Sequence, residues 1–280
     1  MLLKVEHQLC YHYSQAVFLT PHYIYLSPKP SANQEVKEHK IDIQPTPNIL
    51  INNMDVEGNI QHIAFINEPC EKLNIKSSFV VETKTFNSFD FIYFPFEAES
   101  LPFKYPPSEA KLLQAYLTNQ SEIPTTIHHY VRQLAAEADW KTSKFLIDLC
   151  ANIQKNFQYE TRLRGEAYPA ESTLISKRGS CRDYSVLMIE GCKALGIAAR
   201  FVSGYCYGSE LHAHELHAWV EVYLPGGGWR GFDPTDGKPI DHTYIALASS
   251  AQPELINPIT GNYRGNATSV LETEVNIFEI

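Results

Sequence analysis

The first 95 residues alternate between short apolar segments and clusters of turn-forming residues. The apolar segments are rich in β-branched and aromatic side chains, which favour strands, and they cover residues 17–20, 22–26, 40–43 and 78–83. Proline, asparagine and glycine cluster between them, at residues 28–31, 45–48 and 57–59. This pattern predicts an antiparallel β-rich domain.

The pattern changes near residue 105. Residues 94–108 are dense in proline and are predicted to form a linker. Apolar positions three and four residues apart then predict helices that start at Ser108 and cover about 124–138 and 144–157. We therefore expect an α+β protein with two domains. Residues 1–105 form a β-rich accessory domain with its linker, and residues 106–280 form a core of helices packed on an antiparallel sheet. At the C-terminus, residues 271–280 alternate apolar and polar and predict an added edge strand.

A helix that carries a candidate nucleophile is predicted after Gly179 and Ser180. Small or apolar residues form an i, i+3, i+4, i+7 stripe, and Gly196 ends it; the stripe is Cys181, Tyr184, Ser185, Met188, Ile189, Cys192 and Leu195. Cys181 lies in the first turn, where free N–H groups favour a thiolate. A cysteine on an apolar stripe is more often a small buried hydrophobe, so both interpretations stand. Arg182 would support a thiolate and Asp183 would oppose it.

A β-hairpin is predicted downstream, with Pro225 and three glycines as its turn. Pairing Tyr223 with Gly227 places His217 directly opposite Asp233 on one face of the hairpin. A slip of one residue would put these two side chains on opposite faces. A cysteine nucleophile needs a base, and the base needs a third group that orients it. Cys181, His217 and Asp233 are the candidates for these roles.

Four sequence blocks around these residues resemble the bacterial transglutaminase-like superfamily. They are residues 179–184, 196–205, 217–223 and 228–235, in that order. Residues 5–28, 43–45 and 55–59 are similar to the β-rich region that commonly precedes this core. The resemblance implies a papain-like α+β core and a triad of Cys181, His217 and Asp233. It also implies an acyl-enzyme thioester that passes its acyl group to an amine or to water.

The resemblance further implies a second oxyanion-hole donor upstream of the cysteine. Tyr159 is the candidate, and Gln158 is a poorer one. Trp219 shares the predicted face of His217, where it would shield the triad or fill the core. The expected activity is that of a cysteine protease, an amidase or an amine-transferring acyltransferase. The alternative is a non-catalytic protein-binding or scaffold module that retains the fold.

Charge and cysteine content narrow the class of partner. With 23 Lys and Arg against 32 Asp and Glu, the net charge is −9. This negative charge does not favour binding to nucleic acid or to an anionic membrane surface. We expect a protein or peptide substrate, and the oligomeric state stays open. Six scattered cysteines without a CxxC pair, and no apolar leader segment, predict reduced thiols in a cytoplasmic protein.

A zinc site is the remaining alternative for the histidines. His212, His214 and His217 form an H-x-H-x-x-H pattern, whereas the zincin motif places two histidines four residues apart on one helix. Because His217 begins a predicted strand and already has a role in the triad, we expect no metal there. The expected acyl transfer or hydrolysis also needs no cofactor.

Overall fold

The structure is a computed structural model that describes residues 1–117, 122–162, 165–209 and 215–280. The N-terminal half is built on one long antiparallel sheet, here called the N-terminal sheet. Its strands are β1 (Leu2–Leu19), β3 (Gln34–Gln44), β6 (Cys70–Thr83), β15 (Tyr263–Arg264) and β16 (Ser269–Glu279). The alternation at the C-terminus therefore does form a strand, and β16 pairs with β1 from Leu3↔Glu279 to Tyr13↔Ser269.

A second antiparallel sheet lies beside the N-terminal sheet. It runs in the order β14-β2-β5-β4, with bounds of Ile259–Thr260, His22–Ile24, Ile60–Phe65 and Ile49–Met54. Both sheets thus combine strands from the first 83 residues with strands from the last 22. The chain division near residue 105 stays a prediction.

Helices and a third sheet make up the rest of the chain. The helices are α1 (Pro107–Leu112), α2 (Thr125–Glu137), α3 (Thr142–Asn156), α4 (Ala170–Ser176) and α5 (Cys181–Ala194), with short 3-10 turns at Phe96–Glu99, Gln114–Tyr116 and Pro253–Ile256. The third sheet, here called the core sheet, has the order β12-β11-β10-β9-β13, with bounds of Lys238–Pro239, Gly228–Asp233, His217–Leu224, Ala199–Cys206 and Tyr244–Ser250. The mixed α+β class is confirmed.

One predicted helix start differs from the observed one. Pro106 precedes α1 and Pro107 is its first residue, so Ser108 lies inside the helix instead of capping it. Proline is pre-organised for the first helical position and needs no N–H there, which explains the earlier start. The chain then changes to a 3-10 turn at Gln114, so the predicted apolar stripe is shared by two short elements.

The hairpin prediction was wrong in register. Opposite Tyr223 lies Trp229 instead of Gly227, and Leu224 pairs with Gly228 across a three-residue loop. Leu224 is fully buried in the helix-packed core, which keeps it within the strand and moves the loop one residue on. Gly226 and Gly228 have positive φ angles of 83° and 70°, which the loop requires. The shift from the predicted pairing is two residues, so the face of every side chain is preserved.

The core sheet is packed on both sides. One face meets α3 and α5 through buried residues that include Val220, Val222 and Phe232. On the other side, Tyr205, Ile245 and Leu247 pack into the hydrophobic core of the N-terminal sheet. Among the helices that the structure describes, none is long and apolar enough to cross a membrane.

Candidate active site

Cys181 is the first residue of α5, and the chain before it is shaped to present it there. The Asp183 carboxylate accepts hydrogen bonds from the backbone N–H of Ser180 at 2.6 Å and from its hydroxyl at 2.7 Å. The carboxylate thus provides a hydrogen-bond acceptor for two polar groups at the helix start. A Cβ at Gly179 would lie 2.7 Å from the Cβ of Asp183, so only glycine leaves room for this contact. The predicted cap and the predicted first-turn cysteine are both present.

Asp183 and Arg182 both make contacts that order the start of α5. Asp183 is fully buried and forms an ion pair with Arg162 at 2.7 Å, so its charge is balanced locally. It also accepts a hydrogen bond from the Tyr168 N–H at 2.6 Å. Arg182 donates to the carbonyl oxygens of Arg162 and Gly165. Both side chains therefore hold Arg162, Gly165 and Tyr168 against the start of α5.

His217 and Asp233 form a buried pair at one end of the β10–β11 hairpin. His217 Nε2 lies 2.6 Å from Asp233 Oδ2, and both side chains have no exposed surface. The other carboxylate oxygen, Oδ1, accepts the Thr235 N–H at 2.8 Å. The Tyr244 hydroxyl donates to Oδ2 at 2.9 Å, and the Cys150 thiol donates to the Asp233 carbonyl at 2.9 Å. Asp233 is thus fixed from β13 and α3 as well as from its own strand.

The two groups stabilise each other's charged forms. Burial works to lower the pKa of His217, but the charge and hydrogen bond of Asp233 and the hydrogen bond with Cys181 raise that pKa well above its ordinary value. Burial alone would raise the pKa of Asp233, but His217, the Thr235 N–H and the Tyr244 hydroxyl bring it below its ordinary value. The site therefore favours an imidazolium next to a carboxylate.

Cys181 completes the arrangement. Its side chain is hydrogen-bonded with the His217 imidazole. Asp233 occupies Nε2, so Nδ1 is the ring nitrogen left to face the thiol. Trp219 is buried with its ring centroid 6.2 Å from that of His217 and 5.4 Å from that of Tyr244. Trp219 therefore fills the core and also packs against the imidazole, so the two predicted roles of this residue do not exclude each other.

Tyr159 lies next to the nucleophile candidate because a short parallel strand pair brings it there. β7 (Gln158–Tyr159) pairs with β8 (Arg178–Gly179), and Tyr159 is opposite Gly179. The Tyr159 hydroxyl has hydrogen bonds with both the backbone N–H and the side chain of Cys181. Burial, with the nearby charges of Cys181 and Glu215, raises the pKa of Tyr159, so the hydroxyl keeps its proton. Gln158 is exposed on the other side of the strand.

A cavity of about 610 Å³ opens over these residues. One wall comes from the core, with Tyr159, Tyr168, Cys181 and His217. The opposite wall comes from β1 and β16 of the N-terminal sheet, and its residues are His7, Leu9, Tyr11, Leu271 and Thr273. The lining also includes the carboxylates Glu166, Glu215 and Glu254. The N-terminal half of the chain therefore contributes directly to the cleft.

The structure brings Cys181, His217, Asp233 and Tyr159 together, while their catalytic roles stay a prediction. His212 and His214 lie outside the described residues. All six cysteines are free and buried. The sequence reasoning missed Tyr244, Arg162 and the cleft wall. Tyr244 and Arg162 carry no local motif, and the wall follows only from the pairing of β1 with a strand about 260 residues away.

Family models match two parts of the chain. Residues 128–234 match the transglutaminase-like superfamily, and residues 3–82 match the bacterial transglutaminase-like N-terminal region. An uncharacterized protein of Mycobacterium tuberculosis (strain ATCC 25618 / H37Rv) is 27% identical over 294 residues, covering 98% of this chain and 91% of the relative. A protein-glutamine gamma-glutamyltransferase of Pseudomonas aeruginosa is 39% identical over 69 residues, covering 21% of this chain and 10% of that protein.

A solved structure shares the complete architecture. It is a "Putative Cysteine Protease" from Cytophaga hutchinsonii, with a TM-score of 0.74 and 19% identity, and the match covers 100% of this chain and 91% of that one. At this identity the match supports the fold. With its core over residues 128–234 and its N-terminal region over residues 3–82, the chain belongs to the transglutaminase-like superfamily.

Proposed function

We propose that this protein is a thiol enzyme that acts on amide bonds of proteins or peptides through an acyl-enzyme intermediate. The observation that carries the proposal is a continuous buried contact from Cys181 through His217 to Asp233, with 2.6 Å between the last two side chains. The cavity of about 610 Å³ gives a substrate access to this contact.

The first half of the reaction forms a thioester. His217 Nε2 donates a hydrogen bond to Asp233, so Nδ1 is the ring nitrogen that takes the Cys181 proton. The thiolate attacks the amide carbon, and the carbonyl electron pair moves to oxygen. When that pair returns, the carbon–nitrogen bond breaks and the imidazolium gives its proton to the leaving amine. Cys181 then carries the acyl group.

The second half releases the acyl group. His217 removes a proton from water or from a primary amine, which attacks the thioester carbon. The carbon–sulfur bond breaks, and the sulfur takes the proton back from the imidazolium. Attack by water gives a carboxylic acid, and attack by an amine gives a new amide. Two donors next to the sulfur, the Cys181 N–H and the Tyr159 hydroxyl, bond to each other and would exchange that contact for bonds to the negative oxygen in both halves.

Labelling with iodoacetamide tests the nucleophile directly. At about pH 6 we expect Cys181 to be alkylated at least about tenfold faster than the other five cysteines, because a neighbouring base removes its proton. The other five cysteines are also buried but do not line the cavity over Cys181, so they serve as internal controls in the same sample. The selective labelling should be lost in His217→Ala. Slow and uniform labelling of all six would contradict the proposal and favour a scaffold module that retains the fold.

A pair of carboxylate variants tests the triad. Asp233→Asn removes the charge that supports the imidazolium, and in triad enzymes this change costs up to about 10⁴ in kcat. Asp236→Asn is a matched control, because the Asp236 carboxylate lies near the same Tyr244 hydroxyl, at 3.3 Å, and pairs with Lys238 at 3.9 Å. Equal losses in the two variants would contradict the proposed role of Asp233.

The acceptor is identified by product analysis. Peptide amides are incubated with and without a primary amine, and the products are identified by mass spectrometry. Incorporation of the amine shows acyl transfer, and release of a carboxylic acid regardless of the amine shows hydrolysis. Cys181→Ser should abolish both reactions. Turnover that survives in Cys181→Ser would rule out the thioester route.

A further inference from the structure

A second group of potential ligands lies outside the triad, where β1 meets β16. Cys10 and His12 are two residues apart on β1, and Glu272 is the direct pairing partner of Cys10 on β16. His12 Nε2 lies 3.1 Å from Cys10 Sγ and 3.4 Å from Glu272 Oε2. The three donor atoms all lie within 4.8 Å of one another.

This arrangement differs from the triad in one decisive respect. A relay needs the sulfur and the carboxylate on opposite ring nitrogens, but in this group both face Nε2 of His12. One proton, on Nε2 or on the thiol, then serves this junction of atoms. A metal ion would replace that proton with a separate bond to each ligand atom.

The distances agree with a tetrahedral zinc site. Zinc bonds of about 2.3 Å to sulfur and about 2.0–2.2 Å to nitrogen and oxygen separate neighbouring ligand atoms by roughly 3.3–3.6 Å. The observed 3.1 Å and 3.4 Å require only small side-chain shifts, and the third pair of ligand atoms, on Cys10 and Glu272, lies within 4.8 Å. A thiolate, a carboxylate and a neutral imidazole together balance the charge of Zn²⁺. Lys72 lies opposite His12 on β6 but is exposed, so its ammonium can stay in water.

We propose that Cys10, His12 and Glu272 bind one Zn²⁺, with a water molecule as the fourth ligand. Binding releases the thiol proton of Cys10 to solvent. The site lies on the reverse side of the cleft wall, because side chains alternate along each strand. Tyr11 lies between two of the ligands, and Leu271 and Thr273 flank the third, and all three line the cavity. The ion would therefore fix β16 to β1 directly behind that wall.

Cobalt is the spectroscopic probe that tests the site. The full-length Cys181→Ser variant is used, so that the triad cannot supply a thiolate ligand and the result is independent of the proposed activity. Under reducing conditions we expect one equivalent of Co²⁺ to give a thiolate charge-transfer band and the visible bands of a tetrahedral site. Addition of one equivalent of Zn²⁺ should remove both.

Variants locate the metal. The cobalt signal should disappear when Cys10→Ser is added and persist when Cys70→Ser is added, since Cys70 is a buried cysteine of the same sheet. His12→Gln and Glu272→Gln should each weaken Zn²⁺ binding by more than about tenfold. Changing a residue that only contacts a ligand already costs about tenfold, so the loss of a ligand should cost more. Thermal melts without metal confirm that the variants fold.

Hydrogen exchange provides a second measurement that does not depend on the cobalt absorption spectrum. Zn²⁺ should slow exchange in residues 269–279, because the ion ties this edge strand to β1. The proposal is overturned if Co²⁺ shows no thiolate band, if the band survives in Cys10→Ser, or if Zn²⁺ leaves the exchange of β16 unchanged.

Discussion

At the scale of single residues, the charge state of His217 is decided by a competition between burial and one carboxylate. Full burial disfavours the imidazolium, while Asp233 at 2.6 Å favours it, and the carboxylate prevails. The hydrogen bonds from Thr235 and Tyr244 keep Asp233 ionised and in place. The sequence could predict the residue types of the triad, but Tyr244 lies in an apolar strand and gave no signal of its role.

Tyr159 provides a prediction about the oxyanion hole. In Tyr159→Phe, kcat should fall by about 10- to 10³-fold with little change in KM, because the lost hydroxyl acts on the transition state. Tyr184→Phe is the matched control, since Tyr184 packs against Tyr159 and its buried hydroxyl has no hydrogen-bond partner among the described residues. Steady-state kinetics of both variants are the measurement. An equal fall in the two variants, or a change confined to KM, would contradict the assignment.

His7 provides a prediction about stability and pH. Burial lowers the pKa of His7 from 6.5 to about 4, while the unfolded chain keeps the higher value. The unfolded state therefore binds more protons between these pH values, and the free energy of unfolding rises with pH across the window. The contribution of His7 is complete above about pH 6.5 and is lost as the pH falls towards 4. It amounts to about 3 kcal/mol.

Urea unfolding at several pH values measures this effect. In His7→Gln, the free energy of unfolding should depend less steeply on pH between about 4 and 6.5, since one titrating group is gone. Gln offers polar atoms to Tyr205 and Thr273, the two partners of His7 at 2.8 Å and 3.1 Å. The assignment fails if wild type and variant lose stability in parallel as the pH falls.

At the scale of elements, helix α5 and the β10–β11 hairpin were predictable because local patterns determine them. The apolar stripe and Gly196 marked the helix, and its observed bounds are Cys181–Ala194. The hairpin register could not be predicted, because it depends on which apolar residue the neighbouring helices bury. Leu224 is that residue, and its burial shifts the pairing by two positions. An even shift keeps His217 and Asp233 on one face, which is why the site prediction was unaffected.

The start of α5 yields a prediction about Asp183. In Asp183→Asn, the ion pair with Arg162 is lost. The new side-chain NH₂ also faces N–H and O–H groups that donate to the carboxylate in the wild type. The free energy of unfolding should therefore fall by about 3 kcal/mol. The alkylation rate of Cys181 should fall as well, because the helix start loses its cap. Asp148→Asn is the control, since Asp148 forms an exposed ion pair with Lys144 that is worth little. Equal stability losses would refute this account.

At the scale of the whole molecule, the C-terminal strand β16 joins the N-terminal sheet where that sheet lines the cavity. β16 returns across the chain to pair with β1, and the two strands form one wall of the cavity over Cys181. The alternation of residues 271–280 predicted a strand, but a local pattern does not identify a partner so distant in sequence. The same limit hid the convergence of Cys10, His12 and Glu272, because only the pairing of β1 with β16 brings the third ligand to the other two.

This wall leads to a prediction about substrate selection. Tyr11 lines the same cavity as Cys181 and His217, and it does so from β1. If the wall contacts the substrate away from the reacting bond, Tyr11→Ala should raise KM by about 2- to 10-fold, the range expected for one aromatic contact, and leave kcat within about twofold.

The matched control is Tyr23→Ala, because Tyr23 is a partly exposed tyrosine of β2 in the same half of the chain and does not line the cavity. Its KM and kcat should equal those of the wild type. A substrate shortened to the residues around the scissile amide should show the same KM for wild type and Tyr11→Ala, since it no longer reaches the wall. If Tyr11→Ala instead lowers kcat and leaves KM unchanged, the strand pair positions the triad and does not select the substrate.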